Sequence, residues 1–279
     1  MEIRSFIVSV LLLGAGLTAS AQGGRCLPSR SDGVEPYQAG EKLGYSISYN
    51  WHAVQTDVAK GSLQLEQTQL NGETVYHGKF TAQTAAFFDV FFKIRERFES
   101  WFALSGMEPK RFERDTYEGG YYAKNHFVYD RKAGMIHASL DSKSKGPRTA
   151  EIPYGDCTYD VTTLLYFVRS LDASKLKTGT VYRISFAIDD KVQMLTVTYK
   201  GRETRQVKGI GKVSALKLGI SVVAGDIFEG DDSAYIWLTD DDNRLPVFFQ
   251  VPLKVGAMSG RLTSWSGLRH EFSSVQTSK

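Results

Sequence analysis

The sequence predicts an all-β protein: a large antiparallel meander with one notable helix. Three observations carry that prediction. Apolar side chains recur on alternate positions, as in Leu43, Tyr45, Ile47, Tyr49 and Trp51, which is the period of a strand with one buried face. Turn-forming pairs, Asn71-Gly72, Gly119-Gly120 and Asp189-Asp190, separate such runs at hairpin spacing. Only Thr158 to Ser170 keeps a helical period with a helix-starting residue in place.

The chain opens with Arg4, an apolar run from Phe6 to Leu17 and the small residues Ala19-Ser20-Ala21, the three-part form of a secretory signal peptide. The run falls short of the roughly 20 apolar residues a transmembrane helix needs. Residues 1–21 are therefore read as a signal peptide, residues 22–36 as a polar lead-in, and residues 37–279 as one β-rich domain. Localisation follows: periplasmic or secreted, with no transmembrane span. A formal charge of +3 over 279 residues gives no reason to expect nucleic acid as a partner. Two basic concentrations, Lys143-Lys145-Arg148 and the run from Lys200 to Lys217, read as solvated faces, with contact to anionic lipid or polysaccharide as the alternative.

Taken in order, a first strand follows Gly40-Glu41. A second around Gly61 to Leu65 reaches the Asn71-Gly72 turn and returns through Tyr76, Gly78, Phe80 and Ala82. Phe87 to Phe102 fits either period, and its expected form is a short helical turn near Thr84 to Asp89 followed by a strand. That strand would send Lys93, Arg95, Arg97 and Glu99 to solvent, with Glu96 and Ser100 interrupting its apolar face. Its phenylalanines are expected in the core, and the alternative sets some of them along a pocket or a membrane-contacting rim. Three short strands follow between Arg111 and Leu140. His126 and His137 lie near each other there, but no third ligand accompanies them and no metal site is expected.

In the helix, Asp160 is the expected N-cap, Val161, Leu164, Leu165 and Val168 form the apolar stripe, and Arg169 suits the C-terminal end of the dipole. Either it packs against the core or it forms a lid over a cavity. The second half repeats the strand idiom through Trp265, for about 14 strands in all. Its centre is the hairpin Tyr235 to Val251. There Trp237 is expected to anchor the sheet, Asp240-Asp241-Asp242-Asn243 to make the turn, and Arg244 and Pro246 to fix the returning strand. A calcium loop would alternate its ligands and need a central Gly and a distal Glu, so these consecutive acids read as a turn in which Asp241→Asn should cost little.

Catalytic signatures are missing. No serine elbow, zinc helix motif, phosphate loop or dinucleotide fingerprint occurs, and no cofactor is expected. The Ser-x-x-Lys matches at Ser142 and Ser214 lack companion motifs, and the acidic pair Asp231-Asp232 lies in an expected turn. Cys26 and Cys157 are the only cysteines. They form a candidate disulfide in an oxidising compartment rather than catalytic thiols.

Three stretches together carry a family resemblance. Gly40-Glu41-x-Leu43-x-Tyr45, Tyr159-Asp160 with Leu164, Tyr166 and Arg169, and Trp237-x-Thr239-Asp240-Asp241 with Arg244, Pro246 and Val247 resemble the exported Gram-negative proteins grouped as domain of unknown function 3108. The resemblance implies an envelope location and a meander folded on itself into a half-open barrel, similar to the YmcC-like lipoproteins, although a lipobox is lacking before Cys26. It brings no established activity. Two functions therefore stand open. One is a non-enzymatic module that holds an apolar or glycan ligand, a lipid or an envelope protein partner on its concave face. The other is a hydrolytic or glycan-modifying enzyme whose carboxylates converge only in the fold.

Overall fold

The computed structural model describes residues 35–51, 54–223, 234–253 and 255–276. The signal peptide, Cys26 and the Asp231-Asp232 pair lie outside the described residues. The strands are β1 (Lys42–Trp51), β2 (Val54–Leu70), β3 (Glu73–Thr84), β4 (Ile94–Ala103), β5 (Pro109–Glu118), β6 (Tyr121–Asp130), β7 (Met135–Ser142), β8 (Arg148–Pro153), β9 (Thr158–Tyr159), β10 (Val181–Ile188), β11 (Lys191–Val207), β12 (Gly211–Val223), β13 (Ala234–Thr239), β14 (Pro246–Pro252), β15 (Ala257–Ser266) and β16 (Val275–Gln276). Helix α1 is Ala86–Asp89 and α2 is Val161–Arg169.

All 16 strands belong to one sheet, ordered β8-β7-β6-β5-β4-β3-β2-β1-β15-β14-β13-β12-β11-β10-β9, with β16 paired to β12. Pairing is antiparallel apart from the two-residue β9, which runs parallel to β10. The sheet does not close: β8 and β9 are its two edges. Its arms curl around a shared core, and α2 lies between them, packed against β3, β4, β9 and β10.

Local chemistry sets these elements. Asn71 and Gly72 both take positive φ, 53° and 83°, the conformation a tight hairpin turn demands. Asp160 caps α2, its carboxylate accepting from the Thr163 amide at 2.8 Å. The helix therefore starts at Val161, and Thr158 and Tyr159 before it are strand. The run from Lys191 to Val207 is a single long strand with an irregularity between Tyr199 and Gly201.

The Phe87 to Phe102 stretch resolves into α1 and β4, and it corrects several expectations. Glu96 and Ser100 do not interrupt the apolar face of β4; they alternate with Ile94, Phe98 and Phe102 on it and are buried. Glu99, expected in solvent, is also buried, under Arg97 and His77. The phenylalanines divide: Phe98 and Phe102 are core, whereas Phe87 and Phe91 are exposed. His126 and His137 are not cross-strand partners, since His126 stands opposite Ser139 and each ring meets a glutamate instead.

Small residues make room for the helix inside the sheet. A Cβ at Gly78 would lie 2.8 Å from the Tyr166 ring and 3.2 Å from Thr162, both on α2. Gly78→Val should accordingly destabilise the fold by about 1–3 kcal/mol through overpacking. Chemical denaturation is the check, with Gly72→Ala as a control whose cost comes from backbone conformation and not from crowding.

Candidate functional site

The two ends of the curled sheet differ in chemistry. At the end holding the C-terminus of α2, the Arg169 side chain is fully buried. Its Nη1 and Nη2 donate to Glu41 Oε1 and Oε2 at 2.6 and 2.7 Å, a two-pronged ion pair sealed from water. The same guanidinium donates to the Asn243 carbonyl at 3.1 and 3.3 Å and to the Pro36 carbonyl at 3.2 Å. Tyr37 and Tyr166 present their rings to it at 5.4 and 5.7 Å. Arg169 is thus not an exposed cation at a helix end; it is the hub that joins α2 to β1 and to the β13–β14 turn.

That turn is built from the inside. Asp241 Oδ1 accepts from the amides of Asn243 and Arg244 and from Thr239 Oγ1, while Oδ2 accepts from the amide and hydroxyl of Ser274. A carboxylate with this many donors has no oxygen left for a cation. The mildness expected of Asp241→Asn is corrected as well, because the amide would turn an NH₂ toward one set of donors. Asp240 meets Arg244 at 3.1 Å and Arg202 at 2.8 Å. The left-handed residue of the turn is Arg244, at φ 49°. Trp237 is buried and donates its Nε1 to Glu203 at 2.6 Å, with the Arg205 guanidinium 4.4 Å from its ring. Pro246 opens β14 at an irregularity in the pairing opposite Leu238.

Midway along the interior, Asp160 is buried against Ser100 and Thr163, with Ser100 Oγ donating to Oδ2 at 2.6 Å. Burial lifts its carboxyl to about 6 despite those hydrogen bonds. A hollow of about 220 Å³ lies beside it at the α2 end, lined in part by Arg131, Tyr154, Cys157 and Tyr159. Cys157 carries no free thiol.

The other end, which carries α1, holds two features that no motif announced. Inside it, Glu96 and Glu118 converge from β4 and β5, 3 % and 1 % exposed. Arg114 Nε donates to Thr116 Oγ1 at 2.8 Å, and Thr116 in turn donates to Glu96 Oε2 at 2.6 Å. Burial first, and then the charge of Glu118, hold the Glu96 carboxyl well above the ordinary carboxylate range. Arg114 also reaches across the gap between the arms to Asp189 at 3.0 Å. Next to it, Lys145 and Arg148 meet Asp190 at 2.8 and 3.3 Å. Outside this end, Phe87, Val90 and Phe91 stand 72 %, 85 % and 75 % exposed.

The profile of the protein family of unknown function DUF3108 matches residues 44–263. The chain belongs to the DUF3108 family. Its fold is similar to the crystal structure of a β-barrel-like protein of domain of unknown function DUF1849 from Brucella abortus, with 13 % identity and a TM-score of 0.52 over 82 % of this chain and 98 % of that one. No curated protein matches the chain.

Within this DUF3108 chain, the sequence-selected residues Glu41, Asp160, Arg169, Asp240, Asp241 and Arg244 come together around α2 and the β13–β14 turn, where they tie segments distant in sequence. Trp237 and Pro246 belong to the same hairpin but face away from the ion pair. What the motifs missed is the α1 end. Glu96 and Glu118 were legible only as charges in phase with the apolar positions of β4 and β5. Phe87 and Phe91 carried no mark to separate them from Phe98.

A carboxyl that binds its proton more tightly folded than unfolded stabilises the fold fully below its unfolded value, near 4.5 for Glu96, and loses that contribution as pH rises toward its raised folded value. Glu96→Gln removes this liability while keeping an acceptor for Thr116. Its melting temperature should match wild type near pH 5 and exceed it by a margin that widens toward pH 8. Thermal melts across that range check the sign.

Proposed function

We propose that this protein is an exported envelope component with a binding role rather than a catalytic one, and that its contact surface is the α1 end of the half-open barrel. One observation carries the reading: three large apolar side chains project from a loop that is itself firmly held. Asp89 accepts from Thr84 Oγ1 and from both terminal nitrogens of Arg95, at 2.9 and 2.5 Å, and the interaction with Arg95 depresses its carboxyl to about 2. On the other flank the Gly119 amide donates to the Lys93 carbonyl at 2.9 Å, and Phe92 packs over Gly119, where any side chain would collide with the ring. Full burial of each of Phe87, Val90 and Phe91 against a partner would contribute roughly 1.5–3 kcal/mol. Exposed apolar groups of this size grouped together mark interaction sites.

Export is supported by the three-part pattern of residues 1–21 and by the absence of a free thiol at Cys157, which suits an oxidising compartment. The converging acids Glu96 and Glu118 favour the enzymatic alternative, but both are buried, at 3 % and 1 % exposure. Two double variants separate the readings by sedimentation of the exported chain with isolated cell envelopes. Phe87→Ser with Phe91→Ser should abolish co-sedimentation while changing stability by no more than about 0.5 kcal/mol, as exposed sites do. Glu96→Gln with Glu118→Gln should leave it intact. The reverse pattern would contradict the proposal.

A further inference from the structure

The α1 end carries more than an apolar tip, and what surrounds the tip identifies its partner. Phe87 contacts Phe88 edge-on and lies 6.1 Å from Phe91, so the rings form one cluster. Val255, 59 % exposed on the loop between β14 and β15, adds a second apolar projection at the same end of the sheet. Projecting apolar side chains of this kind can enter a fluid apolar phase.

Beside the tip the surface changes sign and polarity. The outer rung of the sheet nearest α1 reads Lys60, Gln83, Arg95, Tyr117 and Tyr122 across β2 to β6, and the next reads Ser62, Thr81, Arg97, Asp115 and Lys124. With Lys93 on the loop itself, five cations face three carboxylates, Asp89, Asp115 and Glu99. Arg95 is paired with Asp89 and Arg97 with Glu99, while Asp115 lies 3.8 and 3.9 Å from Arg97 and Lys124, so the excess charge rests on Lys60 and Lys93. A groove of about 300 Å³ runs along these rungs between Arg95, Arg97 and Tyr117. Lys93 rests its ammonium 5.7 Å from the Tyr117 ring, and both are exposed. Apolar rings at the apex with a half-exposed tyrosine and cations together behind them suit the boundary of a lipid monolayer, acyl chains meeting the interface and its phosphates.

Resting on the reading of the α1 end as the contact surface, we infer that its partner is a bilayer surface containing anionic phospholipid. Phe87, Val90 and Phe91 enter the acyl region, and Lys60 and Lys93, beside the rungs of Arg95 and Arg97, meet the phosphates. Juxtamembrane cations add attraction that salt screens, while the apolar tip adds attraction that salt leaves in place.

The test is flotation of the exported chain with vesicles of phosphatidylethanolamine and phosphatidylglycerol, alongside vesicles of phosphatidylcholine alone. Wild type should float with the anionic vesicles. Phe87→Ser with Phe91→Ser should weaken binding at least about tenfold, because two buried rings are lost. Lys60→Glu with Lys93→Glu should erase the preference for anionic over neutral vesicles, with the melting temperature unchanged in both variants. Failure of wild type to float, or flotation of the phenylalanine variant at wild-type strength, overturns the inference. A photo-crosslinking residue at position 91 separates this failure from that of the broader reading. A discrete protein adduct in intact cells without vesicle binding rejects the bilayer and keeps the contact surface. Neither adduct nor vesicle binding rejects both.

Discussion

The architecture depends on one buried interaction, the ion pair between Arg169 and Glu41. Removing a guanidinium and a carboxylate from water costs several kcal/mol each, and their attraction offsets that only when geometry is good and the remaining donors are satisfied. Both conditions hold here, since the pair is two-pronged and the other guanidinium hydrogen bonds go to the Asn243 and Pro36 carbonyls. The interaction therefore specifies more than it stabilises. It sets the position of α2 relative to the first strand and to the turn before β14, segments separated by 128 and 74 residues. The three stretches that carry the family resemblance are the three segments that meet at this point.

An open sheet must also manage its edges. Here the two arms meet through side chains and not through a ladder. The tip of the β10–β11 hairpin supplies Asp189 and Asp190, and Arg114, Lys145 and Arg148 on the opposite arm receive them. Basic residues that read from sequence as a solvated face thus work in part as a seam. At the α2 end the core is deep and aromatic. At the α1 end it thins to a small satellite cluster of Ile47, Ala59, Ala82 and Met258, with the buried Glu96–Glu118 pair nearby. Polarity inside and apolar projection outside distinguish that end from the rest of the molecule.

How much of this was legible follows from the range of each interaction. The Asn71-Gly72 turn, the Asp160 cap and the opening of β14 at Pro246 depend on a few neighbouring residues, and sequence reasoning located them. Burial of Arg169 depends on Glu41, far away in sequence, so a cation in the last helical turn looked like an ordinary response to the dipole. Alternation on β4 placed Phe98 and Phe102 correctly once the strand began, but nothing local showed that α1 would turn Phe87 and Phe91 away from the core. The same limit hid Glu96 and Glu118, whose convergence is a property of strand pairing.

The most direct test of the central claim is a double-mutant cycle on Glu41→Gln and Arg169→Met, read by chemical denaturation. Each single change strands a buried polar partner and should cost about 3–5 kcal/mol. If the pair is the joint described, the double variant should cost clearly less than the sum, with a coupling of at least about 2 kcal/mol. Additive losses would show that Arg169 and Glu41 act independently and that the sheet is positioned by something else.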